Sequence, residues 1–216
     1  MTNPADVSVL IPAAGAGERL GQGPKAWLPL AGRPLVEWVA AKGRQLGVEV
    51  LVACAPGMPA PTGTIAVEGG ATRQDSVLRL AARATRPWSL LWDAASPFAS
   101  LDLCRSVLAA AVPTGAAVAY LPALVTGLDV RDGRVIAARA ADGSGSTQTP
   151  QAYASELLRK LTTQAQAEGW RTQSTAELVL RAGLPLAAVP GERLNIKLTT
   201  PDDWILAQAL LDRLHR

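Results

Sequence analysis

The sequence predicts an α/β fold: a Rossmann-like, mostly parallel sheet flanked by helices, with a protruding β-arm. Three observations carry this. Short apolar runs alternate with helical periodicities through the first half of the chain, a pattern that right-handed crossovers turn into a parallel sheet. The first apolar run ends in a glycine-rich loop, and ligands in such folds sit beyond the carboxyl ends of the strands. One stretch, from about 124 to 148, breaks the alternation and carries a hairpin signal instead. With roughly 100–200 residues per domain, the 216 residues predict a single domain over 1–216 with 124–148 as its arm.

The elements follow in order. Val7-Ser-Val-Leu-Ile-Pro12 is a buried strand entering a loop. Pro34 to Leu46 sets Leu35, Val36 and Val39 at helical spacing behind a proline suited to a first turn. Glu49 to Cys54 and Ile65 to Val67 read as the next strands. Thr72 to Ala84 is helical, Trp88 to Trp92 a strand, Leu101 to Ala111 a helix and Ala116 to Leu121 a strand. From Pro122 to Thr147 the pattern changes. Asp132-Gly133 between short Val/Ile runs predicts a hairpin, and Asp142-Gly-Ser-Gly-Ser146 a loop. An excursion of this length inside a compact domain is usually functional or an interface. Helices near Ser155 to Glu168 and Ala176 to Ala182, a short strand near Leu186 to Val189 and a helix from about Pro201 complete the chain, with no internal repeat.

Composition excludes several classes. Hydrophobic content of 49% and charged content of 18% describe a globular chain. The net charge is only +3, and no Lys/Arg block resembles a nucleic-acid arm or lipid patch. A weakly basic balance suits a small anionic ligand. The N-terminus has no signal-peptide pattern. Leu108 to Leu128 is uncharged and about as long as a membrane span, but Pro113, Gly115, Pro122 and Gly127 make it a helix end, a strand and a loop. Cys54 and Cys104 lie in apolar segments and read as buried thiols of a reducing, cytoplasmic compartment. The one histidine, His215, leaves no material for a zinc site or a Ser-His-Asp triad.

The loop after the first strand reads Pro12-Ala-Ala-Gly15-Ala-Gly17-Glu-Arg19-Leu-Gly21-Gln-Gly23-Pro-Lys25. Small residues let backbone N–H groups approach an anion closely. Arg19 adds a guanidinium fork and Lys25 a mobile point charge. No Gly-x4-Gly-Lys-Ser/Thr string is present, so this is no P-loop. Leu20 occupies the third glycine of a dinucleotide fingerprint, which leaves an NAD(P)-dependent oxidoreductase as a rival reading.

Five segments, in order, resemble the 2-C-methyl-D-erythritol 4-phosphate cytidylyltransferases, a family of sugar-phosphate nucleotidyltransferases. They are the loop just quoted, Gly69-Gly-Ala-Thr-Arg-Gln-Asp-Ser-Val77, Trp92-Asp-Ala-Ala-Ser-Pro97, Gln148-Thr-Pro-Gln151 and Asn195-Ile-Lys-Leu-Thr-Thr-Pro201. The resemblance implies a single nucleotidyltransferase domain that joins CTP to the acceptor phosphate and releases pyrophosphate. It implies that Pro12, Ala13, Ala14, Gly15 and Gly17 line the CTP, that Gly70 and Ser76 meet base and ribose with Arg73 nearby, and that Asp93 and Ala94 lie near the ribose and the Mg2+-bound phosphates. Asp93 is the one possible protein ligand to the metal. Arg19, Lys25 and Lys197 would surround the α-phosphate as the catalytic cations. A homodimer is implied too, the arm reaching the partner's acceptor site with Thr126; Arg139 of the arm is the further acceptor-binding candidate. Without the resemblance, Gly69-Gly70 reads as a turn before a helix, Asp93 as a cap and Lys197 as a solvated lysine.

The departures cluster on the acceptor side. Where the family has His-Asp-Ala-Ala-Arg-Pro, Ser96 stands for the arginine. Val125-Thr126-Gly-Leu128 keeps the threonine of Asp-Thr-x-Lys and loses the acid and the lysine. Ala141 aligns with an arm arginine, and Gln173-Ser174-Thr175 with Thr-Asp-Asp. A lost charge-assisted contact costs on the order of 1.5–3 kcal/mol. Three expectations follow: an arm arginine (Arg131, Arg134 or Arg139) supplies the missing cation, or the acceptor is another polyol phosphate such as ribitol 5-phosphate, or the chain binds nucleotide without turnover.

Overall fold

The computed structural model describes residues 6–15, 17, 23–47 and 49–214, without the side chains of 213 and 214. The described residues form eleven strands and six α-helices, which alternate through the first half as expected. β1 (Val7–Pro12), β4 (Glu49–Cys54), β5 (Ile65–Glu68), β6 (Trp88–Leu91), β7 (Ala116–Pro122), β10 (Gly145–Ala154) and β11 (Ala187–Pro190) form a seven-stranded sheet in the order β11-β7-β10-β6-β1-β4-β5. β1 runs parallel to β4 and β6, β4 to β5 and β7 to β11, while β10 runs antiparallel to both its neighbours.

β1, β4 and β6 are mostly apolar, apart from Ser8, Glu49 and Ser89, because both faces of the sheet are covered. Val7, Val9 and Ile11 of β1 join one core with α1 (Leu35–Leu46) and α3 (Leu101–Ala111). Leu10 turns to the other face, where α2 (Arg73–Arg83), α4 (Ser155–Ala167) and α5 (Thr175–Arg181) pack. Trp92, where the resembled family carries histidine, is fully buried in the first core. α6 (Pro201–Leu214) lies on a smaller cluster with Leu30 and Leu35, near the short hairpin of β2 (Pro29–Leu30) and β3 (Arg33–Pro34).

Sequence and structure agree closely in the first half. The stretch 108–128 is a helix end, β7 and a loop, and no described helix is long and apolar enough to cross a membrane. Cys54 and Cys104 are buried and unpaired, and burial pushes both thiols up. The predicted hairpin forms between β8 (Gly127–Arg131) and β9 (Arg134–Arg139), with Asp132 and Gly133 both at positive φ, 49° and 73°. That pair of left-handed residues is what a two-residue turn matching the strand twist demands.

One correction concerns 145–154. The sequence pattern runs the excursion to Thr147, but β10 begins at Gly145 and inserts between β7 and β6. Its residues Gly-Ser-Thr-Gln-Thr-Pro are polar and include a glycine and a proline, so no local pattern announces a central strand. Pairing on both edges overrides propensity, and the register slips between Gln148 and Gln151.

Candidate active site

The site lies beyond the carboxyl ends of β1 and β6, where the chain leaves buried strands and exposes backbone. After β1, the Ala13 N–H donates to Ala53 O of β4 at 2.9 Å, holding the loop against the sheet as it departs. Gly17 has φ +73°, and a Cβ there would sit 2.2 Å from Gly23 O, so the loop closes on itself only with glycine. Lys25 opens a short 3-10 helix, Lys25–Trp27, beside this loop.

The second wall is the turn into α2. Thr72 caps the helix in a reciprocal box: its Oγ1 accepts from Asp75 N at 3.1 Å, and Asp75 Oδ2 accepts from Thr72 N at 3.0 Å. Ser76 is buried; its hydroxyl accepts from Gly70 N at 3.0 Å and donates to Thr72 O at 3.1 Å. A Cβ on Gly70 would lie 2.3 Å from Asp75 Cβ. The glycine is therefore required by close approach of the capped helix, and Ser76 sets the shape of the turn.

Asp93 stands between two cavities. Its Oδ1 accepts from Arg73 Nε at 3.0 Å and Nη2 at 2.8 Å, and its Oδ2 from Lys197 Nζ at 2.5 Å. Burial by itself raises the Asp93 pKa, but Arg73 and Lys197 overcome it and hold the carboxyl well below the usual range. The Asp93 N–H donates to Thr149 Oγ1 at 3.2 Å, and Arg73 Nη1 reaches Thr175 Oγ1 at 3.3 Å. Lys197 is brought here by the residues on either side of it: Asn195 Nδ2 donates to Thr149 O at 2.8 Å, and Leu198 N to Ala95 O at 2.9 Å.

The larger cavity, about 450 Å3, is bounded by the first loop (Pro12, Ala13, Ala14, Gly15 and Gly17) and by Lys25. Gly70, Ser76, Asp93, Ala94 and Lys197 complete the predicted set around it. Arg19, also predicted, lies outside the described residues, as do Leu20 and His215. The smaller cavity, about 310 Å3, shares Arg73, Asp93 and Lys197 with the larger. It is lined by long polar side chains: Gln148 and Gln151 of β10, Gln173 and Ser174 before α5, and Arg193 and Asn195. Thr126 and Arg139 line neither cavity of their own chain. Both are exposed, and Arg139 holds Asp129 through two contacts at 3.1 and 2.5 Å within the arm.

Sequence reasoning undervalued Arg73 and missed Arg193. The motif places Arg73 only near the residues expected to meet base and ribose, and only the fold brings Asp93 to it from 20 residues away. Arg193 sits in a loop with no motif of its own.

Asp93 is the one carboxylate among the described residues lining the larger cavity, and no trio of metal-ligating side chains occurs among the described residues. Such a donor set fits a Mg2+ carried mainly by phosphate oxygens, with at most Asp93 as protein ligand.

Residues 7–213 match the family described as IspD, 2-C-methyl-D-erythritol 4-phosphate cytidylyltransferase. The 2-C-methyl-D-erythritol 4-phosphate cytidylyltransferase of Thermus thermophilus is 46% identical over 210 residues, covering 95% of this chain and 97% of the relative. That of Deinococcus radiodurans is 38% identical over 214 residues, 97% and 91% of the two chains. The crystal structure of the Thermus enzyme superposes with a TM-score of 0.85 at 41% identity, covering 94% of this chain and 98% of that one. Sequence identity at this level across nearly the full length, on a shared fold, leaves one assignment: the chain belongs to the 2-C-methyl-D-erythritol 4-phosphate cytidylyltransferase family.

Proposed function

We propose that this chain transfers the cytidylyl group of CTP to the phosphate of 2-C-methyl-D-erythritol 4-phosphate, releasing pyrophosphate, a step of non-mevalonate isoprenoid synthesis. The observation that carries the reading is the Arg73–Asp93–Lys197 partition, with a glycine-rich cavity on one side and a polar one on the other. The triphosphate occupies the larger cavity against the backbone of the first loop, and the acceptor enters the smaller. An acceptor phosphate oxygen attacks the α-phosphorus in line, and the bond to the β-phosphate oxygen breaks.

A phosphate monoester has its second pKa at about 6 and is already anionic at neutral pH, so no general base is needed. The chain's own part is position and charge. Lys25 and Lys197, with Arg19 from the first loop, neutralise charge growing on the α-phosphoryl oxygens. Asp93 is a positioning residue: it fixes Lys197 and Arg73 between the two substrates. Bound Mg2+ would supply further charge neutralisation on the phosphates, with Asp93 as the carboxylate among the described lining residues that would hold it.

The arm is the proposed contact with a second copy. Leu128, Val130, Val135 and Ile136 are each 56–61% exposed on a two-stranded ribbon, which by itself buries too little to be stable. Docked on a partner, this ribbon carries Thr126 and Arg139 toward the partner's acceptor cavity. The two unpaired buried thiols suit a reducing cytoplasm.

The test is pyrophosphate release from CTP and Mg2+ with 2-C-methyl-D-erythritol 4-phosphate, and with ribitol 5-phosphate in parallel. Turnover with the erythritol compound is expected. Turnover with ribitol 5-phosphate alone, or CTP binding without turnover, would sink the assignment of acceptor or of activity.

A further inference from the structure

The smaller cavity contains three cations among its described lining residues, Arg73, Arg193 and Lys197. Two of them are committed to Asp93. The acids of the lining are Asp93 and Asp203, and Asp203 already accepts from the Thr199 and Thr200 N–H groups at 2.7 Å each. Arg193 is the exception: among the described residues it has no ion pair and no side-chain hydrogen bond. It is a whole positive charge facing a polar cavity with its donors unused.

The segment that carries it is fixed on both sides. Glu192 accepts from the Ser100 N–H at 3.0 Å and from the Ser100 hydroxyl, at the capped start of α3. Gln148 of β10 donates to Glu192 O at 3.0 Å and Asn195 O at 3.1 Å, and accepts from Glu192 N at 3.1 Å. The backbone on either side of Arg193 is thus tied to α3 and β10 before any ligand arrives, so little ordering remains to be done on binding.

We infer that Arg193 binds the acceptor's phosphate, from within the same chain, as the cation that the smaller cavity lacks at Ser96. The inference rests on the function proposed above. A guanidinium presents paired N–H donors that match phosphate oxygens, which a serine hydroxyl cannot. Ser96 lines the same cavity but is 3% exposed, its carbonyl held by Trp92 Nε1 at 2.9 Å. Arg139 keeps its guanidinium on Asp129.

Arg193 is exposed, so its replacement leaves the core untouched. Arg193→Ala and Arg193→Lys are to be assayed with CTP, Mg2+ and 2-C-methyl-D-erythritol 4-phosphate. The alanine variant is expected to raise the acceptor KM roughly 10- to 100-fold, the loss of a charged hydrogen bond. The CTP KM and the melting-temperature rise on adding CTP stay as in the wild type, and lysine restores part of the acceptor KM. An acceptor KM within twofold of wild type in an active Arg193→Ala enzyme, or a CTP KM that rises in step, overturns the inference and leaves the proposed function standing. Absence of wild-type turnover counts against that function instead. Calorimetric binding of the same acceptor to the CTP-loaded protein then decides: affinity at least tenfold weaker in Arg193→Ala supports the inference, equal affinity overturns it, and no binding to either protein overturns both.

Discussion

The two cavities on either side of Asp93 are built by different means. The larger is made of backbone and small residues at the ends of parallel strands, with Gly17 and Gly70 held in place by close contacts. The smaller is made of long polar side chains from β10, the approach to α5 and the loop before Lys197. A surface that reads phosphates through backbone N–H groups depends on chain geometry, so its residues are constrained to be small. A surface that reads through side chains can exchange one donor for another. On the proposed function, this physical difference explains how the acceptor side can depart from its family at Ser96 while the nucleotide side keeps its pattern.

The comparison can be broken first from within the larger cavity. Lys25→Ala is expected to lower kcat by on the order of 10²–10³-fold, the usual loss for one preorganised electrostatic contact. CTP KM should change far less. Steady-state kinetics with CTP varied at saturating acceptor checks this, and an unchanged kcat removes Lys25 from the transition state.

Asp93→Asn strikes both cavities at once. It leaves Arg73 without its ionic partner and releases Lys197, so loss of turnover should accompany a stability loss of about 1–3 kcal/mol, since the carboxylate is buried but both cations are partly solvated. The pH dependence has a definite sign. The folded-state pKa of Asp93 lies below the unfolded value of about 3.9. Its stabilisation is therefore complete above about pH 4 and drains away as pH falls below it. Thermal melts from pH 7 to pH 3 should show the gap between wild type and Asp93→Asn closing only at the acid end.

Gly70→Ala sharpens the nucleotide half alone. The new methyl meets Asp75 at the capped start of α2, an overpacking of roughly 1–3 kcal/mol. CTP KM is expected to rise several-fold with acceptor KM little changed. An equal rise in both would mean that the turn serves both cavities.

The smallest effect on activity is expected at the opposite end of the sheet. Glu49, the first residue of β4, accepts from the Ser8 hydroxyl and from Thr85 N and Oγ1 at 3.0 and 2.9 Å. Burial raises its pKa, but these hydrogen bonds outweigh that and leave it lowered. Glu49→Gln should cost about 1–3 kcal/mol of stability and leave both KM values as they were. Its stabilisation, like that of Asp93, is lost as pH falls below the unfolded value of about 4.3. Changed kinetics in this variant would mean that the two ends of the sheet are coupled.

The sequence by itself determined the parallel half of the fold and the larger cavity. Apolar runs bounded by glycine and proline placed β1, β4, β6 and α3 to within a residue, because strands covered on both faces tend to be apolar. Asp132-Gly133 placed the turn of the arm, since few residue pairs adopt that backbone. Tertiary structure alone decided the rest. β10 is polar and carries a proline, and it is a central strand only because β7 and β6 offer it two edges. Arg73 becomes part of the partition only when β6 delivers Asp93 to it, and Arg193 faces a cavity only because Gln148 and Ser100 hold its loop there. Local patterns encode burial and backbone conformation, which are properties of neighbouring residues. The meeting of side chains from distant segments is a property of the folded sheet.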